Sequence, residues 1–292
     1  MFVLAHLSDL HLALRPQLTE LAGKRGLGFI DWHRGRKYIH RAEVLDAITR
    51  DLKTIAADHI AVTGDLVNLS LPVEYARARA WLDNVGPPSD VTVIPGNHDA
   101  YVPQARGGPA RYWGDYMRGD DGAASGTFPF VRRRGAVALI ALSSALPTGP
   151  FMATGELGEQ QIARLAAALE QNRGLFRVVL IHHPPVSPPN RYLRRLIDAP
   201  EFRGVLAEHG AELVLHGHDH CRSIVSLDGP VKTIPAVGVP SASARMPHDH
   251  EDAAGYNLFR IDGAGNAWRC QMIARQRNTD GSVGEIDRRV LF

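Results

Sequence analysis

Cysteine is nearly absent from this chain of 292 residues: Cys221 and Cys270 are the two, far apart and in no CxxC pair. A disulfide framework is therefore not expected, and a reducing, cytoplasmic setting is. Long apolar runs are missing too. Nothing approaches the ~20 residues needed to span a bilayer, and the opening MFVLAHLSDLH is too short and too lightly charged for a signal peptide. Charge of one sign is also scarce: 33 Lys and Arg against 31 Asp and Glu leave a formal charge of +2. That is too little to coat the surface for nucleic acid, so no extended polynucleotide partner is expected. What is present is 45% apolar residues, enough for a sizeable core. With no repeat, low-complexity tract or linker, residues 1–292 read as one domain.

Five short apolar runs stand out: 2–7 before SDLH, 59–63 before GDLVN, 91–94 before PGNHD, 176–181 before HHPP and 211–215 before HGHDH. Their length and β-branched content suit buried strands. Helical patterns over 42–56, 74–85, 158–171 and 192–209 lie between them, which indicates βαβ units and a largely parallel sheet. A further strand is expected at 136–142. After His220, strands at 223–227, 231–237, 256–261 and 267–273 follow without helices and look like a second, more antiparallel sheet. Two stretches fit neither pattern and read as long inserted loops, at 12–41 and 100–126. Loops of that length in a compact domain tend to be functional or mobile.

Ligands of an open parallel sheet bind beyond the carboxyl ends of its strands, and there this sequence gathers its chemistry. The runs end in Asp9 and His11, in Asp65, in Asn97 and His98, in His182 and His183, and in His218 and His220. All of these are oxygen or imidazole donors, so Mn, Fe or Zn is favoured over an iron–sulfur or cysteine-zinc site. Asp9, His11, Asp65, Asn97, His182, His218 and His220 are too many for one ion with an open position. They fit two divalent or trivalent ions sharing a carboxylate. Two metals ~3.5–4 Å apart can clamp a phosphoryl oxygen and deprotonate a bridging water for in-line attack. Gly64, Gly96 and Gly217 each precede a ligand, where a sharp turn off a strand needs backbone freedom.

In order, Asp9-x-His11, Gly64-Asp65, Gly96-Asn97-His98-Asp99, His182 and Gly217-His218-Asp219-His220 resemble the calcineurin-like metallophosphoesterase superfamily. The resemblance implies an α/β four-layer sandwich of two mixed β-sheets flanked by helices. It further implies one metal held by Asp9, His11, Asp65 and His220, and a second by Asp65, Asn97, His182 and His218. His98 would stabilise the transition state or protonate the leaving alkoxide. Length and the HHPP block look most like the class III cyclic-nucleotide phosphodiesterases and related small bacterial phosphodiesterases.

Several residues keep two readings. His183 contacts substrate or supports its loop, and Asp99 orients His98 or is solvated. Arg106 and Tyr101 bind substrate, or the loop of Tyr101, Tyr112 and Trp113 merely packs. His216, outside the motif, is expected to be structural, and Cys221 a packed residue rather than a soft ligand or redox-sensitive thiol. His248 and His250 in MPHDHED resemble a metal pair, but no apolar run precedes them, so a solvated loop is expected. The basic stretch 12–41, with Arg15, Lys24, Arg25, Arg34, Arg36, Lys37, Arg41, Phe29 and Trp32, is a cap over substrate, a homo-oligomer contact, a peripheral membrane patch or a solvated loop.

The expected activity is hydrolysis of a small phosphodiester, a cyclic nucleotide or glycerophosphodiester, by a metal-bridging hydroxide with a protonated His98. The alternatives are a phosphomonoesterase, or a pyrophosphohydrolase on a nucleotide or lipid-linked substrate. A protein that keeps the fold only for binding would be expected to have lost a ligand, and all seven are present.

Overall fold

The computed structural model describes every residue except 13–15, 248–250 and 266. In chain order it forms strand β1 (Phe2–Leu7), helices α1 (Lys24–Asp31), α2 (Lys37–Ile39) and α3 (Ala42–Thr54), then β2 (His59–Val62), α4 (Pro72–Val85) and β3 (Val91–Val93). Helix α5 (Gly108–Trp113), strands β4 (Phe130–Arg134) and β5 (Val137–Ala141), α6 (Glu159–Gln171), β6 (Phe176–Leu180), α7 (Ala199–His209) and β7 (Leu213–His216) follow. The chain finishes with β8 (Ser223–Leu227), β9 (Ile234–Gly238), β10 (Gly255–Asp262), β11 (Arg269–Arg277) and β12 (Val283–Val290).

The strands form two mixed sheets of six, ordered β12-β11-β10-β1-β2-β3 and β4-β5-β6-β7-β9-β8. This corrects the sequence-based division. The five apolar runs do not share one parallel sheet: β1, β2 and β3 are parallel neighbours in the first, while β6 and β7 lie in the second. Nor do the later strands make a sheet of their own. Strands β8 and β9 complete the second, and β10 to β12 join the first through antiparallel pairing of β10 with β1.

Alternation along the central strands explains the layering. Val137, Leu139, Phe176, Val178, Leu180, Leu213 and Leu215 face a core shared with β1, β2 and β3. Their neighbours Ile140, Val179, Ile181 and Val214 pack outward against Leu165, Leu169, Phe202 and Leu206 of α6 and α7. A strand buried on both faces reads as a continuous apolar run, which is why these segments lack polar alternation. Helix α3 contacts β11 and β12 of the other sheet and buries Val44, Leu45, Ile48 and Leu52 along one stripe.

Both inserted "loops" carry structure. Residues 12–41 include α1, a π-helical turn Trp32–Arg36 and α2. In 100–126, α5 is flanked by 3₁₀ turns, and Trp113, Tyr116 and Met117 are fully buried. The helix expected over 192–209 divides into a 3₁₀ segment Pro189–Arg194 and α7, with Pro200 in the first turn of α7. No described helix is long and apolar enough to cross a membrane.

Candidate metal centre

The carboxyl ends of β1, β2, β3, β6 and β7 meet at one edge of the sandwich, and backbone hydrogen bonds fix their loops to one another. The Asp9 N–H donates to Gly64 O (2.9 Å), His11 N–H to Asp65 O (3.0 Å) and Gly217 N–H to His182 O (3.1 Å). Five of the seven expected ligands, Asp9, His11, Asp65, His218 and His220, have left-handed backbones with φ between 42° and 70°. Such conformations cost non-glycine residues roughly 1–3 kcal/mol each and persist where the surroundings over-determine them, as at functional sites. Of the three glycines, only Gly64 needs a positive φ (97°). Gly96 and Gly217 are required for closeness instead: a Cβ on Gly96 would strike the Asp65 carboxylate, and one on Gly217 the side chains of Ser8 and Asp9.

Each carboxylate spends one oxygen on a backbone amide and turns the other inward. Asp9 Oδ2 accepts the His218 N–H (3.0 Å), and Asp65 Oδ1 accepts the His98 N–H (2.7 Å). Around the inward Asp9 Oδ1 stand His220 Nε2 (3.2 Å) and His11 Nε2 (3.8 Å), which are 3.2 Å apart. Around Asp65 Oδ2 stand His182 Nε2 (3.4 Å) and, on its other side of the centre, His11 Nε2 (4.0 Å). Asn97 Oδ1 lies 3.2 Å from His182 Nε2 and 3.0 Å from His218 Nδ1. Metal–donor bonds of ~2.0–2.2 Å put neighbouring ligands of one ion about 3–3.5 Å apart. Five of these seven distances, 3.0–3.4 Å, match that spacing, while His11 stands slightly farther from the two carboxylates, at 3.8 and 4.0 Å.

Tautomers fit cations as well. His182 Nδ1 faces Thr63 O (2.7 Å), His218 Nε2 faces Arg194 O (2.9 Å) and His220 Nδ1 faces Glu251 Oε2 (3.1 Å). An imidazole that donates its outer N–H to oxygen presents a lone pair on the inner nitrogen, the usual arrangement around a bound metal. Burial works against ionised Asp9 and Asp65, yet the facing His220 and His182 hold both below the usual carboxylate range. Burial likewise disfavours an imidazolium, but Asp65 beside His182 and Asp9 beside His220 raise those two rings to about 9. Both carboxylates thus draw positive charge toward themselves, as suits a cation-binding centre.

Saturating Mn²⁺ at about 100 times its dissociation constant is therefore expected to stabilise the fold by ~2.7 kcal/mol per site, roughly 5 °C in Tm for a chain of this size. Differential scanning fluorimetry with and without a chelator checks this. An identical melting curve in both would show that no ion binds the native state.

Sequence reasoning missed several neighbours. Glu251 supports His220 from the segment expected to be a solvated loop, with its side chain only 18% exposed. Its role was not legible because the partner it anchors is 31 residues away; the expectation for His248 and His250 lies outside the described residues. His40 is buried, 2.9 Å from Ser243 Oγ through Nδ1, and its ring lies 4.5 Å from that of His11. Replacing Glu251 by Gln keeps the hydrogen-bond acceptor but removes the charge. Mn²⁺ affinity is expected to fall ~10–100-fold, read by competition with a chelating dye.

His98 is arranged differently from the protonated acid expected. Its Nδ1 lies 2.7 Å from Asn68 O, while Nε2 accepts from Arg36 (2.7 Å). Burial, then Arg36, pulls its pKa down to about 3, so the ring is neutral. Asp99 neither orients that ring nor is solvated: its carboxylate accepts backbone N–H groups from Gly96, Asp65, Leu66 and Val67. His183 uses Nδ1 on Ser144 Oγ (2.7 Å) and Nε2 on Ala153 O (3.1 Å), so both ring nitrogens support its loop. His216 is buried, with Nδ1 3.2 Å from Gly217 O. Burial raises the Cys221 thiol to about 11, so a reactive thiolate is not favoured.

A cavity of about 410 Å³ opens over the centre, lined by Lys24, Arg36, Tyr101, Arg194 and a turn at 150–153. Lys24, Leu27, Gly28 and Arg36 of the basic segment thus lie over the centre, the placement expected of a cap. Tyr101 lines this cavity with its ring stacked on His98 and Lys24 Nζ 4.1 Å from its centroid. Arg106 instead lines a larger neighbouring cavity of about 800 Å³ that contains none of the expected ligands. Tyr112 stacks on Tyr75 and Trp113 donates to Tyr75 O, so neither is presented to a ligand.

Residues 2–222 match the calcineurin-like phosphoesterase family. The chain belongs to that family. It is a phosphoric ester hydrolase of a metal-dependent kind, with Asp and His groups placed to hold ions. The phosphoesterase is 28% identical over 276 residues to a probable cyclic nucleotide phosphodiesterase of Synechococcus sp. (strain ATCC 27144 / PCC 6301 / SAUG 1402/1), covering 92% of this chain and 91% of the relative. It is 27% identical over 261 residues to the glycerophosphodiester phosphodiesterase GpdQ of Enterobacter lignolyticus (strain SCF1), covering 87% and 82%. Its fold resembles that of purple acid phosphatase PPD1 from yellow lupin (Lupinus luteus), with a TM-score of 0.64 and 12% identity over 97% of this chain. There it spans about half of the plant protein, 52%.

Proposed function

We propose that this phosphoesterase is a dinuclear metal-dependent phosphodiesterase acting on small diesters. The observation that carries this is Asp65 Oδ2, 3.4 Å from His182 Nε2 in one donor group and 4.0 Å from His11 Nε2 in the other. Asp9, His11, Asp65 and His220 would hold one ion, and Asp65, Asn97, His182 and His218 the second. Such ions supply Lewis-acid neutralisation of phosphoryl oxygens and acidify a water to near pH 7.

The chain's own groups do the rest. Lys24, Arg36 and Arg194 line the cavity and attract an anionic ester. The deprotonated water, its proton passed to solvent, forms a bond from its oxygen to phosphorus. The bond to the leaving oxygen breaks, and that oxygen departs with the electron pair and takes a proton from solvent. Arg36, held by His98 Nε2, is placed to balance the negative charge that builds there. His98 then acts by positioning Arg36, since its Nε2 accepts from that guanidinium and holds no proton to give. Cyclic nucleotides and glycerophosphodiesters are the substrates to try first, because the two relatives named above carry those activities in their names.

The test uses protein stripped of metal and reconstituted with Mn²⁺, comparing bis(p-nitrophenyl) phosphate with p-nitrophenyl phosphate. Preference for the diester supports the assignment. Preference for the monoester, or activity on neither, would reject it.

A further inference from the structure

The mouth of the cavity over the metal centre is apolar on one side, and that side belongs to none of the machinery above. Leu27 of α1 faces a turn carrying Pro150, Phe151 and Met152, and all four line the cavity with Lys24, Arg36 and Arg194. Leu27 is 45% exposed, Met152 40% and Phe151 87%. Phe151 also has a left-handed backbone, φ 63°. An exposed aromatic ring in a conformation costing roughly 1–2 kcal/mol has no stabilising role to explain it.

The turn is held in place. Thr148 Oγ1 donates to Met152 O, Met152 N–H reaches Gly149 O (3.3 Å), and Ala153 N–H reaches Leu193 O (2.9 Å). Lys24 Nζ donates to both Thr148 Oγ1 (3.1 Å) and Tyr101 O (3.2 Å), tying this turn to the cap. The result is a fixed apolar lip continuous with a cationic throat.

We infer that this lip is a subsite for the non-leaving arm of the substrate, and that this arm is an alkyl or acyl chain. The inference rests on the phosphodiesterase reading. Charge complementarity orients the ligand: the phosphate sits toward Arg36 and Arg194, and the arm leaves past Leu27, Phe151 and Met152. A nucleobase fits less well. Among the described residues of the lip there is no hydroxyl or carboxamide to read a base edge, and Tyr101 is engaged by His98 and Lys24.

The experiment measures kcat/KM of the Mn²⁺-loaded enzyme on p-nitrophenyl phosphodiesters sharing one leaving group. Their second arm is methyl, butyl, hexyl or 5′-thymidyl, all used below the aggregation concentration found by light scattering. The hexyl ester is expected to exceed the methyl ester ~10–100-fold, mainly through KM, the factor that burial of about two to three of the five added methylenes supplies at about 0.8 kcal/mol each. Phe151→Asn removes the ring but tolerates a positive φ, and is expected to cut the hexyl-to-methyl ratio below about 3. Val231→Asn, in the distant turn between β8 and β9, should keep the wild-type ratio. Equal rates for all esters, or a thymidyl preference, would overturn the subsite and leave the phosphodiesterase reading standing. Hydrolysis of none of the diesters would overturn both.

Discussion

Asp65→Ala is expected to abolish the chemistry while leaving a folded protein. It should lower kcat/KM for bis(p-nitrophenyl) phosphate by ~10³–10⁵-fold. A paired metal site supplies several kcal/mol of charge stabilisation in the transition state, at 1.36 kcal/mol per tenfold in rate. Each of the other proposed ligands serves one donor group, but Asp65 Oδ2 approaches both, at 3.4 Å from His182 Nε2 and 4.0 Å from His11 Nε2. Its Oδ1 also fixes the His98 backbone at 2.7 Å, so the same substitution loosens the loop that carries Asn97. Bound Mn²⁺, counted by mass spectrometry after desalting, should fall from two per chain to one or fewer. Asp65→Asn separates charge from shape: it preserves an acceptor for the His98 N–H and should still lose metal. Retention of a tenth of the activity by Asp65→Ala would sink the shared-ligand assignment.

Asp99→Ala is expected to produce the largest loss of stability of any single change near the site, ~3–5 kcal/mol. Its carboxylate accepts four backbone amides: Gly96 (2.8 Å) and Asp65 (2.8 Å) on Oδ2, Leu66 (3.0 Å) and Val67 (3.1 Å) on Oδ1. An amide left buried without a partner costs about 1–3 kcal/mol, and partial relaxation keeps the total below the simple sum. Urea denaturation of the chelated protein reads this without any contribution from bound ions. Asp99→Asn should fall between, because its NH₂ group would face N–H donors. A change under ~1 kcal/mol in Asp99→Ala would mean that water replaces the carboxylate and that the loops do not depend on it.

These two residues show what the sequence made legible. Asp65 was readable because metal chemistry restricts donors to a few residue types, and strand topology puts them at strand ends. Asp99 ends the block Gly96-Asn97-His98-Asp99, but its role depends on amides of a loop more than 30 residues earlier. No residue-type pattern records such a partner. Glu251 and His40 stayed invisible for the same reason, each meeting the centre from a segment with no strand before it.

The fold divides similarly. Apolar runs revealed β1, β2, β3, β6 and β7 because strands buried on both faces need apolar residues throughout. Which sheet each joins depends on pairings such as β1 with β10, brought from opposite ends of the chain, and no local signal carries that. Strand β12 was missed because it is a largely exposed edge, GEIDRR in its middle, where charge discourages further pairing. The helical cap escaped notice since Gly26, Gly28 and Gly35 interrupt any regular periodicity.

The donors come from both halves of the sandwich. Asp9, His11, Asp65 and Asn97 hang from β1, β2 and β3, while His182, His218 and His220 hang from β6 and β7. Each proposed ion would therefore be a removable cross-link between sheets, joining for instance His11 to His220 across 209 residues of chain. A link over so long a loop withdraws conformational entropy from the opened state much as a covalent bridge does. It also acts at one edge only, so amide exchange at the carboxyl ends of β1 and β7 should slow on metal addition while their other ends keep their rates. On that proposal, catalytic competence and the closure of that edge would rise and fall together with the availability of metal.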